Sequence, residues 1–223
     1  MSQAVQEMFD KISGRYDALN HVLSARRDLA WRRTAVGMLP PGQGRILDLC
    51  GGTGDFLLAA RAGNKALPNS VVADFARGMM VPLPSKGLPS GIQADALHLP
   101  FRDESFETVL CGFGMRNLDD LGTGIREVHR VLKPGGTFVT LEFFRPETFV
   151  SKAFYGAIAP LLIPAAGTVF GSSREAYEYL VRSIRRFTSV GGYATLLGES
   201  GFQSAKIVSL DFGLCSAVAA RRP

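Results

Sequence analysis

The residues with chemistry to offer begin in the run Asp48-Leu49-Cys50-Gly51-Gly52-Thr53-Gly54-Asp55. Glycines at 51, 52 and 54 let the backbone turn sharply and approach a ligand closely. A phosphate-gripping loop ends in Gly-Lys-Ser/Thr, whereas Gly54 is followed by the acid Asp55. A dinucleotide fingerprint seats a pyrophosphate at the helix N-terminus, where Asp55 again puts a negative charge. What fits is a ligand without phosphate, and preferably a cation: the sulfonium and amino group of S-adenosylmethionine, with Asp48, Gly52, Thr53 and Gly54 against it. A tight strand-to-helix turn with no ligand is the plainer alternative.

Further acids follow at strand ends. Asp74, with Phe75 after it, closes the run Ser70-Val71-Val72-Ala73. A carboxylate there presents a fork of acceptors to both hydroxyls of a ribose, or caps the helix-like stretch that follows. Asp95 beside Ala96 can read an adenine edge, the acid accepting from the exocyclic amine and the amide donating to a ring nitrogen. Gly112-Phe113-Gly114-Met115-Arg116-Asn117 leaves another strand at its carboxyl end, the side on which ligands lie in parallel sheets. Arg116 reads there as a donor to a substrate oxygen, or as a partner for Asp119 or Asp120. Tyr16, Asp17, Asn20 and His21 line a pocket or form the wet side of a helix.

Those residues need a scaffold. Met8, Phe9, Ile12, Tyr16 and Leu19 are near helical spacing, so 1–41 is expected to be a helical cap that ends at Pro40-Pro41-Gly42. Ile46 to Leu49 suits a buried strand, and Asp55 to Ala62 a helix. Strands are expected at 70–74, 91–94, 106–111 and 137–143. A helix over 118–132 separates the last two, and Lys133-Pro134-Gly135-Gly136 marks a turn. Strand and helix alternate, which argues an α/β fold: a parallel sheet with helices on both faces. From 144 to 187 that rhythm breaks for an apolar, lid-like helical insertion whose second half turns Tyr177, Leu180, Val181 and Ile184 inward. A helix over 190–200 and strands over 205–210 and 213–220 close the chain.

Length and composition suit a single domain of 223 residues, 46% hydrophobic and 20% charged. The start of the chain carries no signal-peptide pattern, so a cytoplasmic location is expected. The apolar stretch 157–170 is interrupted by Pro160 and Pro164 and falls short of the about 18 residues a membrane span needs. Cys50, Cys111 and Cys215 lack metal-ligand spacing and read as reduced thiols, and no metal site is expected. A net charge of +5 is consistent with an anionic membrane surface or a solvated basic face; the scattered arginines carry no nucleic-acid signature.

The glycine turn, the Asp74 strand end, Asp95-Ala96, Phe113-Gly114-Met115-Arg116-Asn117 and the run 126–136 together resemble class I S-adenosylmethionine-dependent methyltransferases. More narrowly, with the opening run 8–20 and the late run 179–187, the chain resembles the menaquinone/ubiquinone biosynthesis C-methyltransferases. The resemblance implies a Rossmann-like, seven-stranded, mostly parallel sheet and cofactor contacts at Thr53, Asp74, Asp95, Ala96 and, by its backbone, Gly112. It also implies a lipophilic quinol partner methylated on a ring carbon, with peripheral membrane contact and a homodimer as options. On that mechanism Arg116 would stabilise a phenolate, and Asp17 or His21 would take its proton. Cys50 stands where the broader pattern has glycine, which requires its backbone to stay outside the left-handed region. Pro82 and Pro84 are expected to shorten the second helix.

Overall fold

Ile46–Leu49 forms β1, every residue of it buried, as befits a strand covered on both faces. In the computed structural model, which describes residues 3–40, 44–63, 69–160 and 174–223, β1 lies near the middle of a seven-stranded sheet. It pairs in parallel with β2 (Val71–Asp74) and β4 (Phe106–Gly112). Outside these lie β3 (Ile92–Gln93) and β5 (Leu132–Glu142), also parallel. β6 (Gln203–Leu210) and β7 (Cys215–Arg221) form an antiparallel hairpin, and β7 joins β5 antiparallel to give the order β3-β2-β1-β4-β5-β7-β6. The mostly parallel α/β sheet expected from the sequence is therefore present, final hairpin included.

Side chains alternate across each strand, so the sheet feeds two apolar layers. Leu47 and Leu49 face α5 (Leu121–Val131) and α8 (Val190–Glu199) through Ile125, Val128 and Leu197. Ile46 turns the other way, onto α3 (Arg27–Gly37) and α4 (Asp55–Ala62), meeting Val36 and Leu57. Asp48 shares that second face. It is wholly buried on that face.

Three elements depart from the expected spans. α3 belongs to the layer packed on β5 and β7 and ends at Gly37, so only α1 (Gln3–Ile12) and α2 (Tyr16–Leu23) lie over the strand ends as a cap. The turn at Lys133 to Gly136 persists as an irregularity inside β5, because Leu132 already pairs with Phe106 before the register shifts to Thr137 opposite Thr108. Of the insertion, α6 (Phe149–Ala153), a π-helical turn (Phe154–Ile158) and α7 (Arg174–Arg186) are described; residues 161–173 and the side chain of Tyr177 lie outside the described residues. Val181 and Ile184 are buried as expected. Between β2 and β3 the prolines leave only two short 3-10 turns, Arg77–Met80 and Pro84–Lys86. Among the described residues no helix is long and apolar enough to cross a membrane.

Candidate active site

The carboxyl ends of β1, β2 and β4 border a narrow cleft lined by the glycine turn, Asp48, Asp74, Gly112 and Phe113. Its backbone is held open by positive φ at Gly52 (51°) and Gly54 (81°). A Cβ at Gly54 would also sit 2.3 Å from Leu88 Cδ1, so the residue has no room for a side chain. Cys50 has φ 52°, inside the left-handed region rather than outside it as the sequence led us to expect. That conformation costs a side-chain-bearing residue about 1–2 kcal/mol. Gly51 N–H to Ala73 C=O (3.2 Å) and Gly54 N–H to Gly51 C=O (2.8 Å) hold the turn in place. Strain of this kind persists where surrounding contacts over-determine it.

Asp74 is buried, and burial pushes its carboxyl up to about 6. One oxygen accepts the Gly52 N–H (2.9 Å) and the other the Ala76 N–H (2.8 Å), which pins the turn to β2. The capping alternative is thus realised only in part: the following 3-10 turn begins after Ala76 and has no side-chain cap. Beyond Asp74 a small gap lies between Cys50, Phe75, Asp95, Ala96 and Leu118. One Asp95 oxygen accepts the Leu97 N–H (3.0 Å).

Asp48 makes the cleft selective for charge. Neither carboxylate oxygen has a hydrogen-bond partner among the described residues. Burial raises it to about 7, the Leu57 amide and Arg32 pull it back, and Asp74 and Asp55 push it further up. An orphaned buried carboxylate is stabilised by a cation, and a sulfonium or ammonium is one. The cleft therefore fits S-adenosylmethionine on the chemistry of its own residues.

A second cavity of about 460 Å³ opens on the other side of Tyr16, Arg32 and Phe113, which line both spaces. Its walls are mostly apolar and aromatic: Trp31, Phe113, Phe143, Tyr155, Leu180 and Ile184. Phe113 stacks on Phe143 with ring centroids 4.6 Å apart and holds φ 59°, a conformation rarely adopted by a bulky residue. Arg116 also lines this cavity. Its Nη1 donates to Glu142 Oε1 (2.7 Å) and to the Phe113 carbonyl (2.5 Å), while its Nε is buried with no partner. Glu142, wholly buried, accepts in addition from the Phe143 and Arg116 amides. Burial pushes the Glu142 carboxyl up, and Arg116 with the two amides pulls it back without cancelling the shift. Burial works against charge on Arg116, but Glu142 outweighs it and leaves the guanidinium more firmly protonated.

The structure brings Thr53, Asp48, Gly52, Asp74 and Gly112 to one cleft, with Phe75, Asp95 and Ala96 beyond it, while Gly54 shapes the turn before α4 and does not itself line the cleft. It places Arg116 against Glu142 rather than Asp119 or Asp120. Asp17 and His21 line neither cavity. Asp17 accepts from Thr53 Oγ1 (2.5 Å) and Lys86 Nζ (2.6 Å), and His21 Nδ1 is 2.9 Å from Asp28 Oδ2. Both side chains are engaged in holding the cap down. Lys86 also donates to Asp55 (3.0 Å), and Asp10 on α1 accepts the Gly78 N–H (2.8 Å), so α1 and α2 are latched across the cleft. Asp17→Ala is expected to speed cofactor release and weaken its affinity about twofold to fivefold, the scale of a half-exposed ion pair. Stopped-flow release kinetics check this, and an unchanged off-rate removes the latch.

Sequence reading missed Arg32, Asp28, Lys86 and Glu142. A lone acid inside an apolar strand was the available signal for Glu142, as it was for Asp48. His21, Asp28 and Asp55 bring ligand atoms within 4.8 Å of one another, but Arg32 (2.6 Å from Asp28) and Lys86 already neutralise that cluster.

A doubly layered sheet with an antiparallel last strand, and a phosphate-free adenosine cleft built on an acid and a glycine turn, define a class I S-adenosylmethionine-dependent methyltransferase. The fold is shared with such an enzyme from Thermotoga maritima (TM-score 0.71, 19% identity, covering 97% of this chain and 99% of that one). The model of the ubiE/COQ5 methyltransferase family matches residues 1–221, and the chain belongs to that family. Among its relatives are a demethylmenaquinone methyltransferase of Bacteroides fragilis, 34% identical over 96% of this chain and 91% of the relative. Another is a ubiquinone/menaquinone biosynthesis C-methyltransferase of Rubrivivax gelatinosus, 36% identical over 95% of this chain and 84% of the relative.

Proposed function

We propose that the chain methylates a ring carbon of a demethylated polyprenyl quinol, with demethylmenaquinol as the acceptor. The observation that carries this is the apolar, aromatic-walled cavity that meets the cofactor cleft at Tyr16, Arg32 and Phe113, with the Arg116 guanidinium on its wall. The names borne by the relatives support the choice of acceptor. S-adenosylmethionine, when bound, supplies an electrophilic methyl group on a sulfonium.

The protein's task is to hold the acceptor ring with its carbon toward the cleft and to favour the phenolate over the phenol. Positioning of this kind is worth about 7–11 kcal/mol in well-oriented systems. Arg116 lines the cavity and keeps a buried Nε–H without a partner, so its guanidinium has donor capacity left for a charge-assisted bond to a quinol oxygen. Among the described residues the two carboxylates lining the cavity are Asp28 and Asp211. Burial raises Asp28, but Ser24, Arg32 and His21 outweigh it, and Arg27 with Trp31 likewise holds Asp211 below the usual range, so both are weak bases. The hydroxyl proton therefore passes to water, Arg116 having made the hydroxyl more acidic, and the ring carbon that takes the methyl gives up its own proton to water as aromaticity returns. Aromatic side chains exclude water from the rest of the ring, and the meeting of anion and cation is favoured in a dry space.

An acceptor panel tests this. Turnover is expected with a naphthoquinol and not with catechols or histamine-like amines, measured by methyl incorporation. Preference for a methoxybenzoquinol would move the chain to a ubiquinone pathway, and methylation of oxygen or nitrogen only would overturn the reading. Mass spectrometry of the quinones in cells lacking the protein names the substrate by what accumulates.

A further inference from the structure

Two phenylalanines stand almost fully in solvent beside the acceptor cavity: Phe149 is 88% exposed and Phe212 81%. They are neighbours in space, since Thr148 donates from Oγ1 to the Phe212 carbonyl (2.7 Å) and Phe149 follows it in α6. Phe212 sits at φ 58° and ψ 27°, a left-handed conformation that bulky residues avoid. The turn is fixed from beneath by Asp211, which accepts from Arg27 Nε (2.8 Å) and Trp31 Nε1 (2.7 Å) on the cavity wall. Anchoring Asp211 inward leaves Phe212 directed outward, 81% exposed. Val150 and Ile158, each 45% exposed, extend the apolar surface, and Val22, 53% exposed, carries it to the cavity wall.

We propose that this face docks on an anionic lipid bilayer, with the acceptor cavity opening toward the lipid. The proposal rests on the quinol reading above and deepens it by naming where the acceptor enters. Two observations choose a bilayer over a second copy of the chain. The first is charge: Arg26 and Lys152 are exposed beside the phenylalanines, Arg27 is already paired with Asp211, and Arg145 and Glu147 on the approach to α6 offset each other. Two cations beside exposed aromatics attract anionic headgroups and are repelled by the same pair on a second copy. The second is continuity: Val22, Phe154, Asp211 and Leu214 line the cavity and belong to the elements that carry the patch. A prenylated acceptor partitions into lipid, so a cavity mouth laid on the bilayer receives it without exposing its tail.

The test uses the full chain with vesicles of phosphatidylglycerol and phosphatidylethanolamine, and with phosphatidylcholine alone. Wild type is expected to co-sediment with the anionic vesicles and to be released by salt. Phe149→Ser with Phe212→Asn should weaken partitioning at least about tenfold. Asparagine accepts the left-handed conformation, so thermal unfolding should be unchanged. Methylation of a tail-free quinol in solution should also be unchanged, while methylation of a long-tailed quinol embedded in vesicles falls with binding. Wild type that ignores anionic vesicles, or a double variant that binds them as wild type does, overturns the proposal. So does a variant whose only change is conversion of a dimer to a monomer, which would make a second copy the occupant. If wild type binds vesicles but methylates neither quinol, the docking surface stands and the function reading falls.

Discussion

Arg116→Gln is expected to lower methyl transfer about 10²–10³-fold, the scale of removing a donor aimed at developing negative charge. Cofactor affinity should hold, because Arg116 lines the acceptor cavity and not the cofactor cleft. The single variant is nevertheless a poor test by itself. Arg116 and Glu142 form a buried pair, with side chains 5% and 0% exposed, and removing one partner leaves an uncompensated charge at a cost of about 3–5 kcal/mol. Loss of activity in Arg116→Gln would then be indistinguishable from loss of fold. Replacing both partners, Arg116→Gln with Glu142→Gln, removes both charges and keeps an acceptor for one of the Phe143 and Arg116 amides, which donate to different Glu142 oxygens. Its unfolding midpoint should return part of the way to wild type while turnover stays low. Recovery of turnover in the double variant would reduce Arg116 to a structural partner of Glu142.

That pair also marks what could be read from the chain. The glycine turn, the acids at strand ends and the parallel sheet were legible because each depends on a few neighbouring residues: glycines permit positive φ, an apolar run fills a covered strand, and strand and helix alternate. The Arg116 loop was legible as ligand-facing, since it leaves the carboxyl end of β4. Its partner was not, because Glu142 comes 26 residues later and only the β4–β5 register brings the two together. Asp17 was legible as a polar residue of the cap, but its partners Thr53 and Lys86 were not, being 36 and 69 residues away. Cys50 shows the converse limit. Its left-handed backbone is imposed by the turn around it, and nothing in the identity of a cysteine announces that.

The wall shared by the two cavities concentrates what specificity the site has. Phe113 is strained, stacked on Phe143 and overhung by the Arg32 guanidinium at 5.5 Å from the ring centroid. Arg32 in turn is held by Asp28 (2.6 Å) and lies 3.9 Å from Asp55 of the cofactor turn. One side chain thus touches the network on both sides of the point where methyl donor and acceptor must meet. α3, which carries Arg32 and Trp31, packs on the sheet through Trp31, Ala35 and Val36, so the wall is set by the core and the latch by the cap helices α1 and α2.

S-adenosylmethionine binding should tighten as pH rises from about 6 to 8, and Asp48 is the reason. Its carboxyl is lifted by burial to about 7, so a large share is protonated at pH 6. A cation in the cleft favours the ionised form, which means that affinity falls about tenfold per unit below the free-state value and levels off above it. Calorimetry near pH 7 should show proton release on binding, read from the dependence of the enthalpy on buffer. Stability of the cofactor-free protein runs the other way. The ordinary value for an aspartate is 3.8, so the folded state holds this proton more tightly than the unfolded one. Stability is then favoured at low pH and lost as pH rises through about 7. Asp48→Asn should remove both trends around neutrality and leave a weaker one centred near the Asp74 value of about 6. Cofactor affinity in Asp48→Asn should be lower and flat at pH 7 to 8. A pH profile that survives the substitution would assign the titration to another group and return Asp48 to the role of a silent buried acid.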